Sequence, residues 1–378
     1  MRVVVIVCTY NEAESTPRMI EALAQVFGQI KNHEMLALYV DDSSPDGTAQ
    51  KVKDAQVKYK WLHLLVNPVK GGLGAAYANG MKYAMDKLKA DYFMEFDADF
   101  QHPPEFIPKL VEKIDQGYDY VIGSRYVAGG SVPQDWGLER KALSGIGNIV
   151  ARVGLLLPQI HDVTTGFKLS KVKGFMEEFD FNSLLSKQFA YKVQLLFYMV
   201  NKGARVVEVP FAFAPRTSGE SKIIKNEMLE TLRVIFLLQL HNPKMLRLLK
   251  FGTVGFGGYL VNASTLYLFT KLNFPSWAAW GISTELAIIN NFTLNNIWTF
   301  KDQQITGGVG ILSKFVQFNL TSSGGLLIQV AVGWITDILL GPGYRQIVLP
   351  LTIGLLVMPY NYLMYTLVIW RKKAPSLK

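Results

Sequence analysis

Cysteine is nearly absent: Cys8 is the only one, which excludes an internal disulfide and any cysteine-built metal site. A secretory signal is not expected either. The apolar run from Met1 to Thr9 is too short for one and leads straight into polar and charged sequence, so the first part of the chain is expected on the cytoplasmic side. Acidic residues are scarce at the far end: of 30 Asp and Glu, only Glu285, Asp302 and Asp337 lie beyond residue 243. The first part therefore reads as water-soluble and the last third as membrane, which accounts for the high hydrophobic content of 49%. The net charge of +9 comes without a basic stripe interleaved with aromatics, so no nucleic-acid partner is expected. A membrane-facing or phosphate-facing surface fits the cations better. None of the five histidines stands in an obvious catalytic pair, and His102, directly after Gln101, is expected to be structural.

What is present centres on Asp91 to Gln101, DYFMEFDADFQ. An apolar run leads to Asp97 and Asp99, two positions apart, with an amide at Gln101. Side chains at i, i+2 and i+4 of a strand share one face, so a strand ending here presents all three oxygens together. Such a set suits Mg²⁺ or Mn²⁺, which take oxygen ligands and are commonly held by one or two carboxylates plus substrate phosphates. A solvated turn after a buried strand is the other reading of the same residues.

Around this stretch the chain alternates strands and helices. Strands are expected at residues 2–8, 35–40 and 62–66, then at the run carrying Asp97 and at 121–126. Helical patterns lie near 17–27, after Thr48, from the glycine-rich turn Gly71-Gly72-Leu73-Gly74 to about Lys89, and around Lys192. This is an α/β domain with a mainly parallel central sheet, whose ligands gather at the carboxyl ends of the strands. Tyr10, Glu12, Asp42, Gly72 and Asp97 then fall along one rim, where aromatic and carboxylate groups can meet a base and ribose and glycines admit close backbone approach.

The ordered set CTYNE (8–12), DDSSPDGT (41–48), GGLGAA (71–76), DADFQHPPE (97–105) and GSRY (123–126) resembles glycosyltransferase family 2, and within it the dolichol-phosphate (polyprenyl-phosphate) mannose synthases. The resemblance covers about the first 240 residues. It implies a GT-A-like nucleotide-sugar-binding fold, with Asp97, Asp99 and Gln101 on the metal and Mg²⁺ or Mn²⁺ as cofactor. It assigns donor binding to Cys8, Tyr10, Glu12, Val40 and Asp42, and further to Asp97, Ala98, Lys192, Arg216 and Lys222. The family usually has proline where this chain has Cys8, and arginine where it has Lys168 in the acceptor-side loop Asp162–Lys168.

The cations form the second half of the chemistry. Arg125, Arg140, Ser144, Arg216 and Lys222, in family order, are expected around the phosphates of donor and acceptor, with Asp99, Arg125, Arg140, Ser144 and Arg216 carrying catalysis. Arginine binds phosphate through a two-pronged fork and lysine as a compact charge. Arg140 and Ser144 sit one turn apart in an amphipathic stretch, 136–158, that suits a bilayer surface or a buried helix. A second amphipathic segment, 223–243, links the soluble domain (1–222) to a membrane domain (244–378).

In that domain, 251–270, 275–300, 315–336 and 346–370 each reach the roughly 20 residues that span a hydrocarbon core. An all-α unit of four transmembrane helices is expected, with both termini cytoplasmic. Lys244, Arg247, Lys250, Lys301, Lys314, Arg371, Lys372 and Lys373 fall on one side and Lys271 and Arg345 on the other. Glu285, Asn290, Asn291, Asn295 and Asn296 within the spans are packing partners or a polar path.

The resemblance implies inverting, metal-dependent transfer of mannose from GDP-mannose to dolichyl (polyprenyl) phosphate. A UDP-sugar donor for glucosyl or N-acetylglucosaminyl transfer is the alternative, and a lipid-sugar transporter with a regulatory soluble domain is the reading from another class. The presence of Asp97, Asp99 and Arg125 argues against the last.

Overall fold

The computed structural model describes residues 1–215 and 227–371, which form two units, Met1–Gln239 and Leu240–Lys378. The first begins with β1 (Arg2–Thr9), α1 (Ser15–Gln29), β2 (Glu34–Asp41), α2 (Thr48–Gln56), β3 (Leu62–Val66), α3 (Leu73–Asp86) and β4 (Tyr92–Asp97). It continues through α4 (Ile107–Asp115), β5 (Tyr120–Ser124), α5 (Leu138–Gly154), β6 (Lys168–Lys171), α6 (Tyr191–Asn201), β7 (Val206–Pro210) and α7 (Glu227–Leu240).

The seven strands form one sheet in the order β3-β2-β1-β4-β6-β5-β7. Every pairing is parallel except those of β6, which is antiparallel to both β4 and β5. Val3 to Val7 of β1 are wholly buried because helices cover both faces of the sheet. Alternate side chains go to opposite cores: Val4 and Ile6 join α3 and α6, while Val3, Val5 and Val7 join α1 and α4. Each such residue contributes about 2 kcal/mol of transfer free energy. Helix α1 meets its core with Met19, Ile20, Leu23, Val26 and Phe27, the spacing of one helical face.

Two features position the site. In register, Cys8 is level with Val40 on one side and Asp97 on the other, so three strand ends stop together. Gly72, at φ 96°, and Gly74 pack so tightly against Ser186 to Gln188 that a Cβ on either would fall within 3.0 Å of that segment. The glycine-rich turn thus admits a neighbouring chain as well as lining the rim.

The second unit contains α8 (Pro243–Lys271), α9 (Ser276–Leu294), α10 (Gly308–Leu339) and a last run made of α11 (Arg345–Thr352) and α12 (Met358–Met364), each followed by a π turn. Asn242 caps α8 by accepting the Lys244 N–H at 3.0 Å, with Pro243 at the first helical position. Among the described residues, two helices are long and apolar enough to cross a membrane, Gly308–Leu339 and Arg345–Ile369. Helices α8 and α9 form where expected but are less apolar, since α8 is interrupted by glycines, hydroxyls and Asn262, and α9 carries Glu285, Asn290 and Asn291. Two of the asparagines are packing partners. Asn291 fills the space a Cβ on Gly258 would take, and Asn296 accepts from Trp370 Nε1 at 3.1 Å while donating to the Ile305 carbonyl.

Candidate active site

The carboxyl ends of β1, β2 and β4 open into a cavity of about 720 Å³ within the first unit. Cys8, Tyr10, Glu12, Asp42, Asp97, Ala98, Asp99, Gln101, Arg125, Arg140, Ser144 and Lys192 all line it. Val40 does not; it is completely buried within β2. Arg216 and Lys222 lie outside the described residues.

The acidic wall is built differently from the expected strand face. Strand β4 stops at Asp97, and the chain turns through Phe100 at φ 62°, so strand alternation does not extend to Asp99 and Gln101. The turn itself brings them in: Gln101 N–H donates to Asp99 Oδ1 at 3.1 Å, and Tyr77 OH donates to Asp97 Oδ1 at 3.3 Å. His102 is buried among Phe96, Phe167, Phe211 and Phe213. Burial pushes it down to about 4, so the neutral ring accepts the Asp97 N–H at Nδ1 and shapes the turn.

At the rim, Tyr10 has Lys70 Nζ 3.5 Å from its ring centroid. Asp42 is aimed by Asn67, whose Nδ2 donates to it at 2.6 Å and whose own carbonyl accepts from Asn79. Burial, with the nearby Asp42 and Asp97, pushes the Cys8 thiol well up, so it stays uncharged where proline is usual.

The cationic wall holds its arginines firmly. Arg125 forks onto Asp162, Nε to Oδ2 at 2.8 Å and Nη2 to Oδ1 at 2.7 Å, and Nη2 also donates to Thr164. Burial lowers the guanidinium but Asp162 outweighs it, and the net shift is upward. Arg140 lies 4.1 Å from the Trp136 ring centroid, exposed at the rim, and Ser144 shares a 2.6 Å hydrogen bond with Tyr126 OH. Lys192, the second residue of α6, is buried, with Nζ where a Cβ on Gly166 would sit.

Under this wall, Lys168 faces Glu95 across the β4–β6 pairing and donates to the Val163 and Lys192 carbonyls, both at 3.2 Å. Burial lowers Lys168 to about 8, against the pull of Glu95. Burial likewise raises Glu95, whose Oε2 accepts from Tyr191 OH at 2.6 Å. Lys168 is therefore a tie beneath the site and not one of its lining groups. Asn67, Tyr126 and the long-range partnership of Asp162 were not singled out from sequence. Only the GSRY and acceptor-loop motifs carried a signal for the last two.

The profile of glycosyl transferase family 2 matches residues 4–179, and that of the GtrA/DPMS transmembrane domain matches 250–370. A dolichol-phosphate mannosyltransferase from Pyrococcus furiosus is 37% identical over 338 residues, 89% of this chain and 90% of that one. The chain belongs to the dolichol-phosphate mannosyltransferase family of glycosyltransferases. Two further members of the family are similar over a shorter stretch. The polyprenol monophosphomannose synthase of Mycolicibacterium smegmatis is 34% identical across 61% of this chain and 84% of its own. The undecaprenyl-phosphate mannosyltransferase of Micrococcus luteus is 35% identical across 59% and 88%. With two apolar helices and a transmembrane-domain match, this family member is a membrane protein.

Proposed function

We propose that the protein transfers mannose from GDP-mannose to a dolichyl or other polyprenyl phosphate at the cytoplasmic face of a membrane, inverting the sugar carbon. The observation that carries this reading is the make-up of one cavity, whose lining combines Asp97, Asp99 and Gln101 with Tyr10 and Asp42 and with the cations Arg125, Arg140 and Lys192. The names of the relatives support mannose as the sugar and a polyprenyl phosphate as the acceptor, and GDP as the carrier rests on the family resemblance.

Among the described residues no three His, Cys, Asp or Glu side chains form a complete metal cage. Asp97, Asp99 and Gln101 instead offer a partial, all-oxygen set, which fits Mg²⁺ or Mn²⁺ completed by substrate phosphates. Bound there, the ion supplies Lewis-acid neutralisation of the departing diphosphate. Arg140 and Ser144 orient the acceptor phosphate, with Arg125 held rigid behind them by Asp162. A phosphate monoester is largely dianionic at pH 7, its second pKa being about 6, so the nucleophile needs no strong general base. Neutral His102 shapes the turn. Arg216 and Lys222 are proposed on the donor phosphates by family order.

Helix α5 turns Leu138, Leu143, Ile146 and Val153 outward, each more than 60% exposed, as a helix lying on lipid does. The four-span reading rests on the four apolar runs, and the lysine and arginine asymmetry of the loops supports cytoplasmic termini. The test is an assay of purified protein with polyprenyl phosphate, Mg²⁺ or Mn²⁺, and either GDP-mannose or UDP-glucose. Lipid-linked β-mannose is expected from the first. Turnover of UDP-glucose alone would reject the donor.

A further inference from the structure

The loop from His161 to Thr165 is gripped by side chains of three elements. Glu208 on β7 accepts the N–H groups of His161 and Asp162 at 2.8 and 2.9 Å. Lys168 on β6 donates to the Val163 carbonyl. Asn148 on α5 completes the grip: its Nδ2 donates to the His161 carbonyl and its Oδ1 accepts the Val163 N–H at 2.9 Å. That one buried amide brackets Asp162 from the residue before and the residue after, and Asp162 is the group that fixes Arg125.

Arg140, Ser144 and Asn148 stand four residues apart along α5 and share one helix face. The first two line the cavity, and the third fastens the helix to the loop. Asn148 and Ala151 are the only residues of α5 that are buried, so the amide is the one buried polar side chain that ties the helix to the rest of the unit.

We infer that Asn148 is a positioning residue for the acceptor half of the site. It locks the helix that presents Arg140 and Ser144 to the loop that holds Arg125, so that the three groups keep one geometry. This rests on the lipid-phosphate acceptor proposed above. Two buried hydrogen bonds are at stake, and their loss together displaces helix against loop without touching the nucleotide rim.

The test is steady-state kinetics of Asn148→Leu, which keeps the number and branching of the side-chain heavy atoms and removes both bonds, with polyprenyl phosphate and GDP-mannose varied separately. The acceptor KM is expected to rise about tenfold while the donor KM is unchanged. In the Asn148→Leu background, Arg140→Ala is expected to add little, because the helix is already displaced. Asn148→Asp keeps the Val163 acceptor but sets a carboxylate against the His161 carbonyl, and an intermediate rise is expected; it serves where the leucine variant fails to fold. An unchanged acceptor KM in either folded variant, or an equal rise for donor and acceptor, would overturn the inference. Wild-type protein with no turnover that depends on lipid phosphate would instead overturn the proposed function, and the same assay reads it first.

Discussion

Arg125 and Asp162, 37 residues apart in sequence, form a buried two-pronged ion pair at 2.7 and 2.8 Å behind the cationic wall of the cavity. Asp162 also accepts the backbone N–H groups of Arg125 and Thr165, so one carboxylate sets both the guanidinium and the loop. Removing it leaves a buried cation unpaired. Asp162→Ala is expected to cost about 3–5 kcal/mol of stability, measured by thermal or denaturant unfolding in detergent. Arg125→Lys keeps the charge and loses the fork, and is expected to fold while using the lipid acceptor poorly. Wild-type melting of Asp162→Ala would show that the pair is not a tie.

Gly166 is the space that Lys192 occupies: a Cβ there would lie 2.2 Å from Nζ. The Cβ meets the tip of a flexible side chain and, at 3.2 Å, the buried ring of His102, so Gly166→Ala is expected to displace the ammonium at some cost in stability. A several-fold rise in donor KM, on the order of the loss of one charged contact, is the expected kinetic result. Unaltered donor binding by calorimetry would remove Lys192 from the donor site.

Lys168 gives a pH signature. Its folded value near 8 lies below its ordinary 10.5, because burial disfavours the ammonium, so above about pH 8 the folded state binds fewer protons than the unfolded. Stability from this group is then complete above about 10.5 and is lost as pH falls through 8, at about 1.4 kcal/mol per pH unit within the window. The stability difference between wild type and Lys168→Met is expected to rise in favour of wild type from pH 8 to 10.5. A flat difference would contradict a charged, buried Lys168.

The parallel core was legible because its strands are continuous β-branched or apolar runs: Arg2–Thr9 and Leu62–Val66 lie where the pattern puts them. Strand β6 was not, since Lys168-Leu169-Ser170-Lys171 reads as polar and short, and its lysine is buried against partners from other elements, Glu95 and the Val163 and Lys192 carbonyls. The acidic residues do converge on the cavity, through the left-handed Phe100 and not through strand alternation, a backbone state that a phenylalanine does not advertise. Pairings such as Arg125 with Asp162 and Asn148 with the His161–Val163 loop depend on tertiary approach, which local periodicity does not encode.

The most direct test of the central claim is transfer of labelled mannose from GDP-mannose to polyprenyl phosphate by wild-type and Asp99→Ala protein, with divalent cation present or chelated. The account expects product from wild type only with Mg²⁺ or Mn²⁺, and none from Asp99→Ala under either condition. Wild-type rates in Asp99→Ala, or undiminished transfer under chelation, would contradict it.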